Sequence, residues 1–174
     1  MPATDPPPPT SGDYGAKTSR EAARLACQAT RTGPEPFGDP FSGILLIAEP
    51  AAGAANAGVV DALRRSLAAV KLDGAYVTWP HSNLLEEILS LEPGALVVLG
   101  PAAARTIDSL DYPLARTLFS ESPEGSWFDW TKGTSGLRLP ALAPALEDAA
   151  AKRRFWHAFL ALRTLTPEEA IRRP

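Results

Sequence analysis

From residue 43 to residue 110 the chain repeats one alternation three times: a short apolar run, then a segment with helical periodicity. "ILLIA" starts at Ile44. "NAGVVDALRRSLAAV" (56–70) follows it, with Val59, Val60, Leu63, Leu67 and Val70 on one side. "GAYVTW" (74–79) leads into "SNLLEEILSL" (82–91), which Ser82 or Asn83 is placed to cap. "GALVVLG" (94–100), apolar on both faces, opens into "PAAARTIDSL" (101–110), with Pro101 at the first turn. Parallel strands need crossovers, and the crossovers pack on the faces of the sheet. Three strand-then-helix units in a row therefore predict an α/β three-layer sandwich, with a mostly parallel central sheet of about four strands.

After Tyr112 the rhythm weakens. "LARTLF" and "SWFDW" read as a short strand pair or a loop, and one more strand is expected around Leu137 to Leu139. "EDAAAKRRFWHAFLALRTL" (147–165) predicts a closing helix that Pro167 ends. Leu146, Phe155, Phe159 and Leu162 are expected toward the core, with Trp156 at or beside that face.

Upstream, residues 1–16 are Pro-rich and polar, a leader with too little apolar surface to order itself. Residues 17–41 read as an N-terminal helix and linker. Thr18 and Glu21 have capping-box spacing, and Gly33 is a fitting stop. The helix has a thin apolar face of Ala22, Leu25, Ala26 and Ala29, and a basic character from Arg20, Arg24 and Arg31. "PEPFGDPF" (34–41) reads as extended linker. One α/β domain is expected over 42–166, and 167–174 is a C-terminal tail.

The totals narrow the function classes. Net charge is −3 with 21% charged residues, which argues against a protein held to nucleic acid by bulk charge. Cys27 is the single cysteine, so no internal disulfide forms, and no metal-ligand spacing surrounds it. Neither a metal nor a cofactor is expected. No apolar run approaches the ~20 residues of a membrane span, and the N-terminus lacks a secretory pattern. The expected location is the cytoplasm.

Ligands of open parallel sheets bind at the carboxyl ends of the strands. That places Glu49, Thr78, Trp79, His81, Asn83 and Gly100 under scrutiny. Glu49 can activate a water if burial raises its pKa; the commoner use of such a carboxylate is to cap a turn or face solvent. The loop after it contains Gly53 and Gly58 but neither GxGxxG nor GxxxxGK[ST]. His81 and His157 are the only histidines, and no Ser/His/Asp or Cys/His arrangement has local support. Lys152, Arg153 and Arg154 open a basic stripe with Arg163: a solvated helix face, a phosphate contact, or a contact for an acidic protein. Trp127, Phe128 and Trp130 mark a partner surface if exposed and a core flap if buried.

In order and spacing, four segments resemble the uracil-DNA glycosylase superfamily over residues 43–165. They are "AEPAAG" (48–53), "YVTWPHSN" (76–83), "LEPGALVVLGPAAARTI" (91–107) and "LAPALEDAAAKRRFW" (142–156). The resemblance implies a glycosylase-like fold, and the departures fall on the chemistry. Where the family has a histidine before proline, Ala143 precedes Pro144, and alanine cannot stabilise charge on a leaving base. Where the family reads the base with asparagine, Trp79 stands. The stretch after the first motif is shortened to "AANAG", and the cluster cysteines of the iron-sulfur branches are missing. Of the catalytic positions, only Glu49 matches.

"APALEDAAAKRRFW" also looks like the C-terminal pattern of one branch of this fold that has lost catalysis, the psi subunits of bacterial DNA polymerase III. These join a chi subunit to the clamp loader. That resemblance implies a non-catalytic bridging protein whose partners are a chi-like subunit and a clamp-loader subunit, with any DNA contact weak or indirect. Arg20, Arg24, Leu25, Arg31, Trp127 and Trp130 would bind partners, and Lys152, Arg153 and Arg154 are the candidate phosphate contacts. The rival implication is a divergent glycosylase-like enzyme, or a repair-associated protein, that uses Glu49.

Overall fold

The computed structural model describes residues 33–165. Residues 18–32 of the N-terminal helix, with Arg20, Arg24, Leu25, Cys27 and Arg31, lie outside the described residues, as do the leader and the tail.

Three apolar runs become strands β1 (Ile44–Ala48), β2 (Tyr76–Thr78) and β3 (Ala95–Leu99), buried at every position. They alternate with helices α1 (Ala55–Ala69), α2 (Leu84–Leu91) and α3 (Pro101–Ser109). Then come β4 (Trp127–Asp129), β5 (Ser135–Leu139), a short α4 (Ala143–Glu147), α5 (Ala149–Phe159) and a 3₁₀ turn over Leu160–Thr164. The five-stranded sheet has the order β2-β1-β3-β5-β4. Four strands run parallel, and β4 pairs antiparallel with β5. The expected mostly parallel α/β sheet is present, with one strand more than anticipated: "SWFDW" supplies it.

The chain steps one way from β1 to β2 and the opposite way from β2 to β3. Right-handed crossovers then place α1 on one face and α2 on the other. Strand residues alternate accordingly. Ile44, Leu46, Val77, Val97 and Leu137 pack with α1 and α5, through Val59, Leu63, Phe155 and Phe159. Leu45, Ile47, Leu96 and Val98 pack with α2 and α3, through Leu84, Ile88, Ala104 and Ile107. Each such side chain taken fully from water contributes about 1.5–3 kcal/mol, so both faces of the sheet are strongly held.

Two expectations need correction. The closing helix is not continuous over 147–165. Asp148 is extended (φ −117, ψ 128), its carboxylate accepts from Ala151 N at 2.6 Å, and it starts α5 afresh. The short α4 therefore ends before it, and Leu146 is 46% exposed rather than in the core. Nor is 34–41 a free linker. Phe37 N donates to Val77 O at 3.1 Å and Val77 N to Phe37 O at 2.8 Å, an antiparallel bridge across the outer edge of β2. The Phe37 ring packs on the core with the Arg64 guanidinium 3.9 Å above it. A covered edge cannot template pairing with another chain.

The long connection from α3 to β4 is also anchored. Asp108 accepts from Phe119 N at 2.7 Å and Ser120 N at 2.9 Å. Phe119 is fully buried, with its ring 5.7 Å from Trp130 and 5.0 Å from Phe128.

Candidate functional site

The sheet order reverses between β1 and β3, so the crevice where an open α/β sheet takes a ligand lies at their carboxyl ends. Register brings those ends level, with Ala48 opposite Leu99. Glu49 N continues the ladder to Leu99 O at 3.0 Å, and Gly100 N bonds to Leu139 O at 2.9 Å. Immediately beyond, α3 begins at Pro101, and its first turn has no side-chain cap of its own. An uncapped helix N-terminus presents free N–H groups and a positive dipole end.

Glu49 fills that place. Its Oε2 accepts from Ala102 N at 2.8 Å. Gly100 makes this approach possible: at φ +97° it has a conformation open to glycine, and a Cβ there would lie 2.2 Å from the Glu49 Cδ. The carboxylate thus caps α3 from a neighbouring strand.

The other strand-end residues divide between the two faces. Thr78 is buried on the α2 side, where a second polar group sits. Glu87 is 0% exposed. Its Oε1 accepts from Tyr76 Oη at 2.7 Å, and its Oε2 lies 2.5 Å from His81 Nε2 and 3.4 Å from Thr78 Oγ1. Asn83 N donates to His81 Nδ1 at 3.1 Å, which leaves the ring proton on Nε2, facing the carboxylate. Three donors therefore meet one buried carboxylate, a satisfied network that ties β2, the following turn and α2 together. The sequence reading selected Thr78, His81 and Asn83 but missed Glu87. The available signal was helical spacing: Glu87 falls three residues after Leu84 and one before Ile88, on the apolar side of α2.

Trp79 points to the opposite face, 2% exposed in the core with α1. Ala143 also packs against that α1-side core. Trp79 is therefore enclosed in the core, while Glu49 is half-buried at the start of α3.

The candidate partner and phosphate residues are dispersed. Trp130 is 2% exposed, with its ring 4.6 Å from that of Tyr112 in a tilted contact, so it is a core residue and offers no face to a partner. Trp127 is half-buried and donates from Nε1 to Ala161 O at 3.1 Å. The two tryptophans serve opposite faces of the sheet: Trp127 packs on the α1/α5 side and Trp130 on the α2/α3 side. Among the three basic residues, Arg154 turns to Glu124, with Nε 3.0 Å from Oε2. Lys152 lies along a different groove with Trp156, and Arg153 is exposed. They do not present one phosphate-binding surface. His157 is exposed on α5. Burial holds the Tyr112 hydroxyl above its usual 10.0, and Glu92 acts in the same direction.

Among the described residues, no group of three or more His, Cys, Asp and Glu is arranged to hold a metal ion, and no helix is long and apolar enough to cross a membrane. No protein-family model matches the chain, and no curated protein matches it significantly.

Proposed function

We propose that this chain is a non-catalytic bridging subunit of the psi type: a glycosylase-like body that holds a chi-like subunit, and an N-terminal arm that binds the clamp loader of the bacterial replicative polymerase. One observation carries the non-catalytic half. The Glu49 carboxylate, the only family-like catalytic group, is engaged at the start of α3 and pressed against Gly100. A general base must reach a water or a reacting atom; the Oε2 of this one is given to a backbone N–H. Trp79 and Ala143 support the same view, because a tryptophan enclosed in the core and an alanine supply no group that reads or activates a base.

The bridging half rests on the resemblance of "APALEDAAAKRRFW" and on the layout of arm and body. Residues 17–32 dock on a clamp-loader subunit through Arg20, Arg24, Leu25 and Arg31. The body keeps the second partner close, so that tethering raises the effective concentration of one partner near the other.

The test is co-purification with chi-like and clamp-loader subunits from the same source. A ternary complex is expected, and Arg20→Glu with Arg24→Glu is expected to release the clamp-loader subunit while the chi-like subunit stays. Absence of a complex with either partner refutes the bridge. In parallel, release of uracil from single-stranded DNA is measured. Activity that Glu49→Ala abolishes would establish an enzyme instead.

A further inference from the structure

A groove of about 600 Å³ runs along α1, lined by Asn56, Ala57, Val60 and Arg64 of that helix and by Gly33 and Pro34. Asp61 stands at it too. The polar liners have partners of their own. The Asn56 side-chain oxygen accepts from Ala51 N at 2.9 Å, Asp61 pairs with Arg65, and the Arg64 guanidinium lies over the Phe37 ring. What remains uncovered is small and apolar: exposed Ala57, half-buried Val60 and half-buried Pro34.

Connectivity names the occupant. Gly33 is the first described residue and itself lines the groove, so the upstream chain begins there. Residues 18–32, immediately before it, are the helix predicted from sequence, with its apolar stripe of Ala22, Leu25, Ala26 and Ala29. Three of those four side chains are a single methyl, which lets such a helix come close to the small residues of α1. The lengths agree. Eight residues separate Leu25 from Gly33 and eight separate Asn56 from Arg64, about 12 Å in either case at about 1.5 Å per helical residue. A separate protein would have to offset about 4–15 kcal/mol of lost freedom from this shallow contact. A segment already joined at Gly33 is spared most of that loss.

A buried donor beside the groove points the same way. Gly33 packs on the Trp79 indole, where an added Cβ would meet Trp79 Cβ at 2.9 Å and Cδ1 at 3.4 Å. Nε1, bonded to that Cδ1, is buried and has no hydrogen-bond partner among the described residues. Leaving such a donor unpaired costs about 1–3 kcal/mol, and a backbone carbonyl of the docked segment would satisfy it.

We infer that residues 18–32 fold back along α1 as a helix, with Leu25 and the alanine stripe laid on Ala57, Val60 and Pro34. The docking does not rest on the bridging reading. Where that reading holds, a clamp-loader subunit must lift the arm from α1 before binding it.

Amide hydrogen exchange of the intact chain tests this. Amides of residues 22–30 are expected to exchange roughly tenfold or more slowly than in a synthetic peptide of residues 17–32, because an isolated helix of that length is marginal in water. Ala57→Arg, which puts a long side chain into the groove at an exposed position, should return them to the peptide's rate. Ala68→Arg, exposed at the far end of α1, should not. Leu25→Asp should act like Ala57→Arg. Because the contact is apolar, raised salt should leave the protection in place. Slow exchange in β1 and β3 shows that each variant folds; if Ala57→Arg does not, Leu25→Asp decides. The inference is overturned by arm amides as fast as the peptide's in the wild type, or by protection that a folded Ala57→Arg or Leu25→Asp chain keeps. Equal loss in Ala57→Arg and Ala68→Arg, or loss on raising salt, overturns it as well. Protection that fades on dilution would assign the contact to a second copy and equally refute it.

Discussion

Replacing Gly100 by alanine perturbs two things at once, and a double-mutant cycle with Glu49 separates them. Gly100 has φ +97 and ψ 153, a region essentially closed to other residues. Imposing it on alanine costs about 1–3 kcal/mol. The new Cβ would also sit 2.2 Å from the Glu49 Cδ, so the carboxylate must leave Ala102 N. Loss of a helix N-cap costs about 0.5–2 kcal/mol, typically ~1. Gly100→Ala should then destabilise by about 2–4 kcal/mol. Glu49→Ala removes the cap alone, about 1 kcal/mol, and Glu49→Gln, which keeps an acceptor oxygen, less. In the double variant the cap is lost only once, so the combined loss should fall short of the sum by about 1 kcal/mol. Urea unfolding of the intact chain, followed by tryptophan fluorescence, measures each corner of the cycle. Additivity within about 0.3–0.5 kcal/mol would show that the two sites are not coupled. Glu49 would then be free for another role, and the case against catalysis would lose its support.

Three further outcomes are expected. Glu87→Ala removes the buried carboxylate that accepts from Tyr76, Thr78 and His81, and should cost about 3–5 kcal/mol in urea unfolding; Tyr76→Phe, which removes one donor, should cost about 1 kcal/mol. Tyr112 should ionise above 10.0, seen as a late phenolate absorbance step that Tyr112→Phe removes. Because the unfolded chain gives up that proton first, stability from this group is intact below pH 10.0 and declines as pH rises through the folded value. Trp130→Ala should destabilise by about 3–5 kcal/mol, as expected of a core aromatic; a loss under about 0.5 kcal/mol, as at a surface position, would contradict its burial.

The three strand–helix units were legible because parallel strands buried on both faces read as unbroken apolar runs, and because Val59, Leu63 and Leu67 repeat at helical spacing. What the sequence concealed is non-local. Nothing near residue 37 announces that Phe37 pairs with Val77, forty residues away. The break at Asp148 was hidden because the residues beyond it continue a helical pattern; the cap, not the periodicity, decides where α5 starts. Trp130 in a polar stretch left surface and core both open, and its burial depends on Tyr112 and on Phe119, which Asp108 brings in from the loop. Topology alone placed Glu49, Trp79 and Gly100 directly after the carboxyl ends of β1, β2 and β3. Their assignment to opposite faces required the register, and Glu87 required the third dimension.

The Phe37–Val77 bridge is one of two holds on the segment before β1. Upstream of it, Gly33 lies against Trp79, where an added Cβ would sit 2.9 Å from the Trp79 Cβ. An extended chain spans at most about 3.3–3.6 Å per residue, so Leu25, eight residues before Gly33, lies within about 29 Å of it whatever its conformation, and within about 12 Å if that span is helical. A protein that grips Leu25 therefore works on a short leash. An insertion between residues 32 and 33 would lengthen that leash while leaving the Gly33–Trp79 contact and the Phe37–Val77 bridge in place.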